Sequence, residues 1–176
     1  MTEWTTLSTS RLLLRPFALA DALRLQQLAG NRAVAATTLR VPHPYENGMA
    51  EAFIVDCQHS YSTGHSCRFG IVKSDTHELI GAMGLELEPE HARAELGYWI
   101  GVEYWGQGFA TEAGLAVVRH GFDALKLNRI MGHCFAENRA SARVLQKLGM
   151  QLEGRLKRHV RKWGEFVDVE LYAVVR

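Results

Sequence analysis

The 176-residue sequence predicts an α/β (α+β) fold in a single domain: a mixed, mostly antiparallel seven-stranded sheet with helices on both faces. Two observations lead there. Between Cys67 and Ile100 three strand-like runs follow one another across short turns, which makes them antiparallel neighbours. The last of them is followed by a long helical pattern and then another strand-like run. Such a crossover is right-handed and sets its two strands parallel. The length suits one domain with a substantial core that needs no disulfide or metal.

The elements follow in order. Residues 11–17, RLLLRPF, form a short apolar run closed by Pro16 and read as a first strand. After Asp21 opens the pattern, Leu19, Leu23, Leu25 and Leu28 recur at roughly helical spacing and predict a helix ending near Gly30. Residues 31–47, with Pro42, His43 and Pro44, read as an irregular loop of the kind that covers a site. Phe53, Ile54, Cys57 and Tyr61 mark a second helix over 49–61, stopped by Gly64. Strands are expected at 67–73, 78–88 and 94–100, with turns at 74–77 and 89–92. Ala113, Val117, Val118, Phe122 and Leu125 place a helix over 111–127, followed by a strand at 129–136. A helix over 141–148 ends at Gly149, where a left-handed residue is wanted. Strands 151–160 and 165–175 are joined by a turn at 162–164, and the chain shows no linker, repeat or low-complexity segment.

Composition narrows the function. A net charge of +1 gives no general pull towards nucleic acid or a membrane. The three cysteines, Cys57, Cys67 and Cys134, are odd in number and far apart, with no C-x-x-C or H-x-x-x-H pair beside them. That favours reduced thiols in a cytoplasmic protein and argues against a structural metal. The polar N-terminal residues and the lack of a bilayer-length apolar run support the same expectation.

The stretch from Glu95 to Thr111, ELGYWIGVEYWGQGFAT, joins a strand to a loop with glycines at 101, 106 and 108 and then to a helix start. A helix N-terminus leaves backbone N–H groups unpartnered and carries partial positive charge, so this is a place for a phosphate. A Walker A loop is disfavoured because no lysine is near. A dinucleotide fingerprint is weak, since Gly106 and Gly108 supply G-x-G but Thr111 fills its last position. A glycine turn that merely ends a strand stays open as an alternative.

WGQGFATEA resembles the coenzyme-A loop of the GNAT superfamily of N-acetyltransferases, usually [QR]-x-x-G-x-[GA]. Gly108 and Ala110 match its last two fixed positions, while Trp105 stands where Gln or Arg is more usual. An aromatic there is common in the branch that acetylates ribosomal protein N-termini. AELGYWIG before the loop, ENRASARVLQKLGM after it and the ending GRLKRHVRKWGEFVDVELYAV extend the resemblance over about the second half of the chain. The resemblance implies that the two parallel strands splay apart around the pantetheine arm of acetyl-CoA, which pairs with the backbone of Trp99, Ile100 and Val102. It implies that Gln107, Gly108, Phe109, Ala110 and Thr111 present N–H groups to the pyrophosphate, and that Asn138 hydrogen-bonds the arm. For Asn138 a helix N-cap is the alternative.

Direct attack of an amine on a thioester needs a free-base amine, an oxyanion donor and a route for the proton. A lysine amine with pKa about 10.4 is free base in about one molecule in a thousand near neutrality, an α-amine near 8 in more than about a tenth. An N-terminal acceptor therefore manages with a weak base or water. Glu95 shares a face with Gly97 and Trp99 and is the candidate water-mediated base or amine anchor; a surface charge paired with Arg93 or a neighbour is the alternative. Ser141 and Tyr98 are candidates for the proton to sulfur, with capping the alternative for Ser141. His133, inside an apolar strand, reads as a core histidine, and Cys134 likewise as core rather than nucleophile. The basic run RLKRHVRK at 155–162 reads as a hairpin facing Glu165, Asp168 and Glu170, with an acidic peptide, a nucleic acid or the ribosome as alternative partners.

The expectation is an acetyl-CoA-dependent N-acetyltransferase acting on a primary amine, foremost a ribosomal or other protein N-terminus. The rivals are a small-molecule amine acceptor (antibiotic, polyamine or amino acid analogue) and a non-catalytic acyl-CoA-binding module. Acceptor choice is expected to fall to residues 37–47 and the turn near Trp163. The aromatic-rich last strands offer a surface for a homodimer.

Overall fold

In the computed structural model, which describes residues 4–176, eight strands form one sheet. They are β1 (Leu7–Ser8), β2 (Leu12–Arg15), β3 (Ser66–Lys73), β4 (Leu79–Glu88), β5 (Arg93–Ile100), β6 (Arg129–Phe135), β7 (Gln151–Lys162) and β8 (Glu165–Val175). Their spatial order is β1-β2-β3-β4-β5-β6-β8-β7. Every pairing is antiparallel except β5 with β6, the pair joined by the helical crossover. The seven expected strands are present, and the eighth is the two-residue β1, too short to show in a hydrophobic pattern.

The helices are α1 (Ala22–Ala29), α2 (Arg32–Thr37), α3 (Met49–Ser62), α4 (Phe109–Asp123) and α5 (Arg139–Lys147). α2 lies inside the segment expected to be irregular. It is one and a half turns of RAVAAT, and the side chain of Asn31 caps it by accepting from the Ala33 N–H at 2.9 Å. α4 and α5 each begin two residues before the expected start, because Gly108 and Asn138 take the N-cap positions.

Strand alternation divides the core between the two faces of the sheet. Leu14, Phe69, Ile71, Met83, Leu85 and Leu96 face α4 and α5, where Val117 and Leu145 meet them. On the other face Phe17, Val72 and Ala82 pack with Leu25 of α1 and Ile54 of α3. Each fully buried large side chain contributes roughly 1.5–3 kcal/mol.

The site is positioned by an interruption in this sheet. β5 and β6 pair from Arg93–Arg129 to Leu96–Gly132 and then part, although β5 runs on to Ile100 and β6 to Phe135. Each strand keeps its outer neighbour: β5 stays with β4 as far as Ile100–Gly81, and β6 stays with β8 as far as Phe135–Val169. The gap between them passes through the sheet.

Candidate active site

A cavity of about 580 Å³ lies at this gap, with β4, β5, β6 and β7 and residues from 37 to 45 in its walls. Alternation along β5 sends Glu95, Gly97 and Trp99 to one face and Leu96, Tyr98 and Ile100 to the other. Trp99 packs with the α1–α3 core and Tyr98 with the α4–α5 core. Gly97 lies between Glu95 and Trp99, and a Cβ there would meet nothing within 4 Å, so the face stays open in front of the strand.

On the α5 side the Tyr98 hydroxyl and Ser141 Oγ share a hydrogen bond of 2.7 Å. Ser141 is held in the first turn of α5, where its own N–H donates to Asn138 Oδ1 at 3.0 Å. Asn138 is thus the N-cap, and its amide NH2 is the half of the side chain left for a ligand. Burial pushes the Tyr98 phenol up to about 12. Cys134 lines the same side, buried, with its thiol raised to about 11 by desolvation, which suits the core role expected of it.

On the opposite face His133 differs from expectation. It is partly exposed in the cavity wall rather than in the core, and its Nδ1 lies 3.3 Å from Glu95 Oε1. β6 alternates like any strand, so Met131, His133 and Phe135 share a face, and the register that sets Met131 beside Glu95 brings the imidazole to the carboxylate. Glu95 is therefore not paired with Arg93, whose guanidinium binds Glu88 instead at 2.7 Å. The His133 imidazole holds the Glu95 carboxyl below its usual range, against burial, with Arg40 assisting at longer range. Deeper in the wall Arg68 bridges Glu86 at 2.7 Å and Asp56 at 2.5 Å.

The upper end of β5 meets the glycine loop. Gly101 N–H donates to Ile80 O at 2.8 Å, and a Cβ on Gly81 would lie 2.4 Å from the Trp99 carbonyl, so the polar groups of these residues point to β4. Antiparallel alternation then turns the backbone of Tyr98 and Ile100 towards the gap. The Ile100 carbonyl is already engaged by the Trp105 indole N–H at 2.7 Å, which gives Trp105 a structural role at the position where the loop pattern has Gln or Arg. After a 3-10 turn at Val102–Tyr104 the chain reaches Gly106 (φ 75°) and Gly108 (φ 83°). Left-handed backbone of this kind favours glycine. α4 starts with no side-chain cap, and its first intrahelical bond is Glu112 N–H to Gly108 O, so the N–H groups of Phe109, Ala110 and Thr111 come before the ladder.

One basic side chain at this loop is absent from the sequence reading. Arg11 lies 4.5 Å over the Phe109 ring, donates to the Gln107 carbonyl at 3.2 Å, and would sit 3.6 Å from a Cβ on Gly108. Glu112 holds it there, accepting from Arg11 Nε at 2.7 Å and also from Thr9 Oγ1, Ser10 Oγ and the Arg11 backbone N–H. Arg11 is almost a hundred residues from the loop in sequence, and no local pattern announces the contact.

The end of the cavity away from the glycine loop is closed by chain rather than by a motif. Thr37 to Pro42 and Tyr45 form one wall, His159 and Val160 of β7 another. Lys162 ties them together by donating to the carbonyls of Val41 at 3.3 Å and Leu39 at 3.5 Å. Trp163 reaches over this segment towards His43. Part of the basic run is neutralised within the hairpin, where Arg155 binds Asp168 at 3.0 Å and Lys162 stands opposite Glu165. Among the described residues no cluster of His, Cys, Asp and Glu is arranged to hold a metal, and no helix is long and apolar enough to cross a membrane.

Known proteins share this pattern. The family Acetyltransferase (GNAT) domain matches residues 11–151. N-acetyltransferase p20 of Bacillus licheniformis is 34% identical over 97% of this chain and 96% of its own. YoaA of Bacillus subtilis, another N-acetyltransferase by name, is 43% identical over 66% of each chain. The ribosomal-protein-serine acetyltransferase of Escherichia coli is 34% identical over 64% of this chain and 63% of its own, so these last two matches span just under two thirds of the relatives' length. Among solved structures, the microcin C7 self-immunity acetyltransferase MccE in complex with acetyl-CoA and AMP shares the fold at a TM-score of 0.88, with 19% identity over 96% of this chain and 94% of its own. With the splayed strands, the glycine loop and a family match over most of its length, the chain belongs to the GNAT superfamily of N-acetyltransferases.

Proposed function

We propose that this acetyltransferase moves the acetyl group of acetyl-CoA directly to the α-amine of a peptide or protein N-terminus that enters the 580 Å³ cavity. The observation that carries the reading is the gap itself, flanked on one face by Tyr98–Ser141 and on the other by Glu95–His133. Donor and acceptor can meet there from opposite sides.

The residues fit the donor. The open edge of β5 at Tyr98 and Ile100, continued by Val102, suits the amides of the pantetheine arm, and the Asn138 NH2 at the start of α5 is left to hydrogen-bond it. Trp99 supports the strand from the acceptor face. The N–H groups from Gln107 to Thr111 suit the pyrophosphate, and the Arg11 guanidinium adds positive charge beside them. A backbone N–H at the gap is the donor available to an oxyanion.

The two pairs divide the proton traffic. A phenol at about 12 does not surrender its proton to a thiolate whose conjugate acid has pKa about 8.5, so Tyr98, with Ser141, stabilises the departing sulfur by hydrogen bonding and leaves its protonation to solvent. The amine proton leaves on the Glu95–His133 side.

An α-amine is favoured over a polyamine by the cavity wall. A polycation needs free carboxylates, yet Glu86 and Asp56 are already bound to Arg68. The open wall and the segment from Thr37 to Pro42 along it suit an extended peptide. The test is mass-spectrometric mapping of a peptide library incubated with the enzyme and acetyl-CoA. Acetylation at α-amines supports the reading; acetylation confined to lysine side chains or to added polyamines overturns it.

A further inference from the structure

We infer that His133 is the catalytic base of the transfer and that Glu95 is its positioning residue, a carboxylate–imidazole dyad built across the two parallel strands at the point where they part. The inference rests on the acetyl-transfer reading and assigns its proton.

Four observations carry it. His133 Nδ1 faces Glu95 Oε1 at 3.3 Å, which turns the other ring nitrogen, Nε2, away from the carboxylate. Both side chains line the cavity, on the face of β5 opposite Tyr98 and Ser141. They flank the last paired rung of β5 and β6, Leu96–Gly132, where the gap begins and an acetyl carbonyl would meet an amine arriving from the acceptor face. A carboxylate held in its ionised form is a weak proton sink for an amine, but it is well suited to fix one imidazole tautomer and to stabilise the imidazolium.

In the step, the acceptor nitrogen forms the C–N bond to the acetyl carbon and releases one proton to Nε2 of His133. The C–S electron pair leaves with the CoA sulfur, which is held by hydrogen bonding from Tyr98 and takes a proton from solvent. The imidazolium then returns its proton to solvent, so the balance is amine plus thioester to amide plus thiol.

Titratable and charged groups around His133 are Glu95 on β5, Arg40 and Tyr45 in the covering segment, His159 on β7, and the Arg68–Glu86–Asp56 group reaching in from β3, β4 and α3. The experiment compares His133→Gln, His133→Ala and Glu95→Gln with the wild type by steady-state kinetics from pH 5.5 to 9 and by 15N NMR of the imidazole, with His159→Gln as the control for the second cavity histidine. The dyad predicts that His133→Gln loses about 30-fold or more in kcat and abolishes the acid limb of kcat/KM, a size usual for a lost general base. The KM for acetyl-CoA should stay within twofold, and imidazole should partly restore His133→Ala. Glu95→Gln should retain the acid limb, lose about 5- to 10-fold in kcat, and show the single Nδ1–H tautomer of the wild type replaced by a mixture. His133→Gln with wild-type kcat and an intact limb overturns the inference, as does a Glu95→Gln enzyme that loses the limb itself. A wild-type enzyme that turns over no amine would instead break the acetyl-transfer reading, leaving the tautomer measurement to judge the dyad.

Discussion

The side of the site proposed to hold the donor and the side proposed to take the acceptor are built by different means. The donor half is regular structure: the free edge of β5, two glycines in the left-handed region and the uncapped start of α4. It offers backbone groups, rather than particular side chains, to the amides and phosphate of the proposed donor. The acceptor half is made of the covering segment with α2, the end of the β7–β8 hairpin and a lysine holding the two together. On the proposed reading, cofactor recognition is set by chain path and acceptor recognition by long-range side-chain contacts.

If this division holds, substitutions should separate the two substrates. The largest effect belongs to Gly108→Val. A β-branched residue at φ 83° is strained by about 1–3 kcal/mol and crowds the N–H groups of the loop. Calorimetry should show acetyl-CoA binding weakened by about 100-fold, equivalent to about 2.7 kcal/mol. An unchanged Kd would detach the loop from the cofactor.

Tyr98→Phe comes next. It removes the hydroxyl bonded to Ser141, and kcat should fall about 10- to 30-fold through loss of the hydrogen bond to the leaving sulfur, while both KM values stay within about twofold. A fall in acetyl-CoA affinity without a fall in kcat would place Tyr98 in binding instead.

Glu112→Gln tests how the donor half is braced. Its carboxylate holds Thr9, Ser10 and Arg11 against α4, and these partners keep its pKa below the ordinary value despite desolvation. A carboxyl depressed in the folded state contributes stability above its unfolded pKa, about 4.3, and loses it as pH falls through the folded value. Urea denaturation should show the variant about 1–2 kcal/mol less stable at pH 7, with the difference narrowing in acid. A gap that widens below pH 4 would contradict the assignment. The smallest effect is on the acceptor side: Lys162→Met frees Leu39 and Val41, and the peptide KM should rise about 3- to 5-fold, the worth of one modest hydrogen bond, with acetyl-CoA binding untouched. An equal change in both constants would erase the distinction between the halves.

The same division explains what could be read from residues alone. Hydrophobic periodicity and short turns located seven of the eight strands and the crossover, because each is a local property of its segment. The glycine loop was legible because a left-handed turn before a helix leaves a glycine in a fixed place, although α4 starts two residues earlier than its apolar pattern indicated. α2 was hidden, since six residues of RAVAAT give no full period. The contact of Arg11 with the loop and the tie from Lys162 to Val41 depend on tertiary packing and leave no local trace. His133 is the instructive case. Its apolar neighbours suggested the core, yet alternation from Met131 beside Glu95 carried the information that it faces the cavity.

The central claim is that the acceptor is an α-amine delivered on a peptide. It is tested most directly by thiol release from acetyl-CoA with a matched pair of peptides, one carrying a free N-terminus and no lysine, the other the same sequence with a blocked N-terminus and one internal lysine. The account predicts kcat/KM at least about 100-fold higher for the free N-terminus near neutral pH, in line with the free-base fractions of the two amines. Equal rates, or release with the lysine peptide alone, would contradict it.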